Sequence, residues 1–322
     1  MSEDNGEVTT QEVNDRFNIL VCIDGSEESF RGLHYAIKFS LDHVDTDISL
    51  LYVRAEGLAE RSSGLNMKIA RENLLEWDIE LPGLQALKVA RDMLVESGFL
   101  GKEWNGEDIT KKFRGTRSGD HIVKYTSKKT DQHISLIVRE ASSVLAGILD
   151  EGHFYEYDII IVSASEGSAT GVGHIDTYTA IGVATEHDGT VILVRELEEG
   201  HGHFVCVEDT EVSMEMVRKD ALMARRCNCP IYLMSVAEDE SGLERANHAL
   251  DWAEKVVEET GGAVAEKIAE VGDPVKRIIE RGGKHSLIVI SASEKSKLKR
   301  MFLGSVSHSV LKRAKNSVMI VR

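Results

Sequence analysis

One apolar run occurs twice in this chain, and the repeat limits the folds open to it more than any other feature. Ile161-Val162-Ser163-Ala164-Ser165-Glu166 returns as Val289-Ile290-Ser291-Ala292-Ser293-Glu294, a spacing of 128 (291 less 163). Ile192-Leu193-Val194-Arg195 returns as Met319-Ile320-Val321-Arg322. Continuous β-branched runs closed by a small polar turn are the pattern of strands buried on both faces, as in a parallel sheet between helices. The chain therefore reads as a tandem duplication of an α/β unit. With 322 residues, 42% of them hydrophobic, each copy can bury a core of its own.

In the first copy, residues 1–16 are polar, acidic and without a period, which reads as a disordered lead-in. Phe17–Ile23 reads as a buried strand. Asp24-Gly25-Ser26 breaks it, with Ser26 as N-cap of a helix whose Phe30, Leu33, Ile37 and Leu41 recur at helical spacing. Asp47–Val53 returns to strand, and the short connection implies parallel strands with a right-handed crossover. Residues 55–81 read as a long connection with a short helix. Gly83 then opens an amphipathic helix lined by Leu84, Leu87, Ala90, Met93 and Leu94, and Gly98 stops it. Residues 99–133 lack a long period and have no counterpart in the second copy. They read as an inserted, solvated loop carrying a basic patch, Lys111-Lys112-Phe113-Arg114 with Arg117. Ile134–Arg139, Asp158–Val162 and Val191–Arg195 complete the strands, and the helix after Ser142 turns Val144, Leu145, Ile148 and Leu149 inward.

A charged linker, 196–202, separates residues 17–195 from 203–322. The second copy repeats the order: strand His203–Val207, helix Val212–Arg226, strand Ile231–Val236, a helix through Leu243, Ala246, Leu250, Ala253 and Val257, and strand Val264–Val271. At Gly272-Asp273-Pro274 an N-cap aspartate precedes a proline at the first helical position. Leu287–Ile290 and Val318–Val321 are its last strands, with Gly304-Ser305 opening a helix between them. Matching Asp273 to Ser142 gives a spacing of 131 (273 less 142), so three extra residues are expected around 152–157 of the first copy.

A formal net charge of -16 argues against a nucleic-acid binder. The absence of a long apolar run or charged-then-apolar leader gives the expectation of a soluble, cytoplasmic chain. Of four cysteines, Cys22 and Cys206 fall in strand patterns, and Cys227-Asn228-Cys229 lacks C-x-x-C spacing; all read as ordinary thiols with no metal. His201 and His203 form a pair that can hold a metal or simply be solvated.

Val271-Gly272-Asp273-Pro274 and Leu298–Ser307 (LKRMFLGSVS) resemble two segments of the universal stress protein family, xGxP and LKRLLLGSVS. Val21–Ser26 is similar to the V-x-x-D-G-S of that family, and the resemblance covers about Phe17 to Arg322 apart from the insertion. It implies an α/β chain of two tandem Rossmann-like domains, each a five-stranded parallel sheet with helices on both faces. It further implies an intrachain pseudo-dimer in which Val191–Arg195 pairs antiparallel with Val318–Arg322, since the fifth strand is an apolar edge that must be covered. Association into a homodimer stays open.

Members that bind ATP carry an acid after strand one and G-x2-G-x9-G-[S/T] after strand four. By resemblance the candidate nucleotide-binding residues are Asp24, Gly25, Ser26 and Val53 in the first copy, and Ser291, Ala292, Gly304 and Ser305 in the second. The signature is split. Ser163 and Glu166, like Ser291 and Glu294, stand at glycine positions; no Gly-Ser pair lies near Asp176-Thr177; and Glu208, beside Asp209, lies near the place of the acid. A glutamate where amides must approach a phosphate adds like charge, which Lys295, Lys297, Lys299 and Arg300 partly offset.

The expected function is thus a stress-response or regulatory protein that binds a ligand or protein partner through a degenerate nucleotide site, without chemistry of its own. The alternatives are an ATP-binding member with at most slow hydrolysis, and an enzyme of a related nucleotide-hydrolysing α/β superfamily, which needs a loop such as SGGxDS.

Overall fold

The structure, a computed structural model, describes residues 16–55, 82–101, 103–110, 120–164, 173–195, 202–292 and 303–322. The first half runs β1 (Phe17–Cys22), α1 (Glu27–Ser40), β2 (Thr46–Ala55), α2 (Pro82–Glu96), β3 (Trp104–Asp108), β4 (His121–Ser127), β5 (His133–Ala141), α3 (Val144–Phe154), β6 (Ile159–Ser163), α4 (Thr177–Glu186) and β7 (Thr190–Val194). The second runs β8 (His203–Cys206), α5 (Glu211–Arg226), β9 (Ile231–Ala237), α6 (Leu243–Glu259), β10 (Val264–Val271), α7 (Pro274–Gly282), β11 (Leu287–Ser291), α8 (Ser305–Arg313) and β12 (Ser317–Val321).

All these strands join one twelve-stranded sheet, ordered β10-β9-β8-β11-β12-β7-β6-β1-β2-β5-β4-β3. Each half contributes five parallel strands in the same spatial order, β5-β2-β1-β6-β7 and β10-β9-β8-β11-β12. The halves meet at an antiparallel seam, Val318 opposite Leu193, Met319 opposite Ile192 and Ile320 opposite Val191. The expected covering of one edge by the other is therefore made within the chain.

Helices cover both faces. On one, Leu33 of α1, Leu87 of α2, Met216 of α5 and Leu250 of α6 pack against Val21, Val205, Val289 and Met319. On the other, Ile148 of α3, Val183 of α4, Ile278 of α7 and Val310 of α8 pack against Leu20, Ile160, Ile288 and Ile320. Successive strand residues point to opposite faces, so one unbroken apolar run feeds both layers. Leu41, read as part of the α1 stripe, sits at the C-cap and is half exposed. Among the described residues no helix is long and apolar enough to cross a membrane.

Three sequence expectations need correction. First, the region read as a solvated insertion contains β3 and β4, an antiparallel pair that extends the first half to seven strands by pairing β4 with β5. A buried triad anchors it: Arg139 donates through Nη1 to Asp120 Oδ2 at 2.9 Å and through Nε to Glu151 Oε2 at 2.7 Å. Second, α3 is capped by Ser143, whose side chain accepts from Ala146 N, and not by Ser142. The spacing to Asp273 is then 130 (273 less 143), and the extra length is helical, since α3 has 11 residues and α7 has 9. Third, His203 is fully buried in β8, and a disulfide joins Cys227 to Cys229. Cys22 and Cys206 are free, and burial pushes both thiols up.

The expected helix within 56–81, the basic patch at 111–117 and the charged segment Lys295–Arg300 lie outside the described residues, as do Glu166, Glu294, His201, most of the lead-in and most of the linker.

Candidate functional site

The candidate residues gather at the C-terminal ends of the strands, one group per half, which is where open α/β sheets bind ligands. In the first half Gly25 takes φ +88, allowing β1 to turn sharply into α1. That turn lets Asp24 accept from Ser26 N at 2.9 Å and from Ser26 Oγ, both through Oδ1. Its other oxygen accepts from Ile175 N at 2.9 Å, and His174 Nδ1 lies 3.1 Å from it. Burial raises the Asp24 carboxyl, but the hydrogen bonds from Ser26 and Ile175 outweigh it and leave the group below its ordinary value.

The segment that reaches Asp24 also covers Val53. Gly173 takes φ +102, and a Cβ there would stand 2.5 Å from Tyr52 Oη and 2.7 Å from the Val53 carbonyl oxygen. Only glycine lets the backbone lie this close to the end of β2. Ile175 follows with 2% exposure, and Asp176 caps α4 by accepting from Thr179 N at 2.7 Å. Asp24, Gly25, Ser26 and Val53 are thus brought together, but around residues 173–176 of their own chain. Sequence reasoning missed Gly173, His174 and Ile175. It noted Asp176-Thr177 only as a lost Gly-Ser pair, although an aspartate before a helix is itself an N-cap signal.

The second half is built alike and filled differently. Ile19 pairs with Ile159, and His203 pairs with Leu287, so the two first strands stand in equivalent register and Glu208 takes the position of Asp24. Glu208 is exposed. Asp209 turns away to α6, 2.8 Å from His248 Nδ1 and 3.4 Å from Arg245 Nε. At the helix that corresponds to α4, Gly304 is the N-cap of α8 and no side chain caps it, while Ser305 is exposed in its first turn. Ser307 Oγ donates to the Ser291 carbonyl at 2.8 Å, holding that turn against the end of β11. Ala292 N donates to Val321 O at 3.0 Å, so this amide is already used. Of the four candidates here, Gly304 and Ser305 hold the uncapped helix start, and Ser291 and Ala292 form its wall.

Helix starts carry unpaired amides and partial positive charge that favour an anion. In α4 the Asp176 carboxylate meets that demand; in α8 no side chain among the described residues does.

Comparison with known proteins agrees with this layout. Residues 204–322 match the model of the universal stress protein family. No curated protein matches the chain. Among solved structures, a provisionally assigned universal stress protein of Pseudomonas aeruginosa UCBPP-PA14 is similar over 96% of this chain and 94% of its own, with a TM-score of 0.59 and 13% identity. A universal stress protein from Archaeoglobus fulgidus DSM 4304 is similar over 95% of this chain and 96% of its own, with a TM-score of 0.54 and 15% identity. Both likenesses span the two halves.

Proposed function

We propose, from the match of residues 204–322 to the universal stress protein family, a stress-response regulator that acts by binding. Its ligand is one nucleotide, ATP in the first instance, with the phosphates on the opening amides of α8 at Gly304 and Ser305. The division into 17–195 and 203–322 belongs to the same reading: the first half is a self-occupied copy, and the second is the responsive one.

One observation carries this reading, the contrast between an aspartate-capped α4 and an uncapped α8. A phosphate approaching α4 meets the Asp176 carboxylate, which already holds the Thr179 amide; approaching α8 it meets no capping carboxylate among the described residues. The wall of the second site offers little besides, since Ala292 N is bonded to Val321 O and Glu208, at the register position of Asp24, brings a like charge. Weak, reversible binding suits a sensor better than an enzyme.

The test is nucleotide content and affinity together. The purified chain is denatured and assayed for released ATP or ADP, and the nucleotide-free chain is titrated with ATP by calorimetry. The expected result is one nucleotide per chain, abolished by Gly304→Asp, which copies Asp176 onto α8, with the fold unchanged by circular dichroism. No heat at millimolar ATP, or equal binding by Gly304→Asp, refutes the reading.

A further inference from the structure

At the opposite end of the second half, three ligand-bearing side chains converge where β8 and β9 begin and α5 ends. His203 is fully buried; its Nδ1 lies 2.7 Å from Asp220 Oδ1 and its Nε2 lies 3.7 Å from Cys227 Sγ. His203 and the half-buried Cys227 and Cys229 each bring one ligand atom, all within 4.8 Å of one another. The Cys-Asn-Cys turn is fixed: Cys227 N donates to Met223 O, Cys229 N donates to Ala224 O, and Asn228 adopts the left-handed φ +51. Both sulfurs are therefore held on the histidine side of the turn.

The pair beneath them is costly for a merely structural role. Asp220 is 1% exposed, and its Oδ2 is buried with no hydrogen-bond partner. In the first half the equivalent of His203 is Ile19, also fully buried, so the strand does not need a histidine in order to fold. A carboxylate on Nδ1–H does, however, fix the tautomer that turns the Nε2 lone pair outward, as behind metal-ligating histidines.

We propose that Cys227 Sγ, Cys229 Sγ and His203 Nε2 bind a thiophilic divalent ion of the zinc class when the cysteines are reduced, and that the disulfide is the metal-free oxidised form. Zinc bonds of roughly 2.3 Å to sulfur and 2.0 Å to nitrogen, at tetrahedral angles, separate the two ligands by about 3.5 Å. The His203–Cys227 separation of 3.7 Å is close to that value. Two thiolates and one imidazole leave a fourth position for water or an outside ligand. The exchange balances: two external thiols break the Cys227–Cys229 bond, give up two electrons and two protons, and leave as their own disulfide. The ion then displaces the two cysteine protons into water as the metal–sulfur bonds form.

The test uses the full chain, reduced, with Co2+ as the probe. One Co2+ per chain is expected, with thiolate-to-cobalt absorption in the near ultraviolet that Zn2+ abolishes. The band is absent after oxidation with diamide and in Cys229→Ser, and retained in Cys206→Ser. In Asp220→Asn the ion binds about 10- to 100-fold more weakly. Cys229 lies in a half-exposed turn, and unchanged circular dichroism separates loss of the ligand from loss of the fold. A reduced chain without the band, or an equal band in Cys229→Ser, overturns the assignment.

Discussion

Arg226, the last residue of α5, reaches across from the second half and donates through Nη1 to Asp45 Oδ1 of the first at 3.2 Å. The same nitrogen lies 3.0 Å from Thr46 Oγ1, the guanidinium stands 4.5 Å from the centre of the Phe17 ring, and the Arg226 carbonyl lies 3.3 Å from His43 Nε2. One side chain thus spans the turn that leads into β2. Arg226→Ala is expected to cost about 1–2 kcal/mol, since Asp45 is half exposed and the ring contact adds to a screened pair. The hydrogen bond from Arg226 is the main reason the Asp45 carboxyl lies below its ordinary value. A depressed carboxylate contributes its stability above the ordinary value of about 3.9 and loses it as pH falls through the depressed one. Denaturant titrations of wild type and Arg226→Ala should therefore differ at pH 7 and draw closer as pH falls through the depressed Asp45 value, leaving the pH-independent share of the ring contact.

The seam offers a second test. Met319 and Ile192 face each other across β12 and β7, and both are fully buried. Met319→Ala should cost about 2–5 kcal/mol by leaving a cavity. Because the lost contact lies where the halves join, calorimetry is expected to show one transition in wild type and two in the variant.

Residues 173–176 over the first site are held by backbone geometry. Gly173→Ala must relieve a positive φ and a contact with the Val53 carbonyl, at a cost of more than about 1 kcal/mol. Hydrogen exchange at the Ile175 amide reports the outcome directly, since that proton is donated to Asp24. Its protection should fall in Gly173→Ala and, in wild type, as pH drops beneath the ordinary carboxylate range and the depressed Asp24 carboxylate is finally protonated.

Glu151 is buried against Arg139 and also accepts from Tyr157 Oη at 3.0 Å. Glu151→Ala leaves part of a buried guanidinium unanswered, and about 3–5 kcal/mol of stability is expected to go. Equilibrium urea unfolding measures it, and a change under 1 kcal/mol would show that Asp120 alone suffices.

Where the code was local, the chain could be read directly. Ser26, Asp273 and Pro274 announce helix starts with their own side chains, the runs at 161, 192, 289 and 319 announce buried strands, and the seam was expected from the family resemblance and the need to cover an apolar edge. β3 was hidden because Trp104 is its one large apolar residue and the rest is exposed; its partner supplies the order. Ser142 and Ser143 are chemically equal caps, and only the length of α3 chooses between them. His203 read as polar because its partner, Asp220, lies 17 residues away on α5. The self-filled first site was illegible for the same reason, since Asp24 and Ile175 stand 151 residues apart.

The seam also imposes an order of events during synthesis. Arg195, beside β7, leaves the ribosome 122 residues before Ser317, the first residue of β12. At 5–20 residues per second, roughly ten seconds pass in which the first half can fold but shows a bare apolar strand to its surroundings. Any second nascent chain at the same stage carries the same unpaired edge, so on a crowded polysome the earliest available partner for β7 is its own copy in a neighbour. The chain that later closes on itself must first escape that exchange.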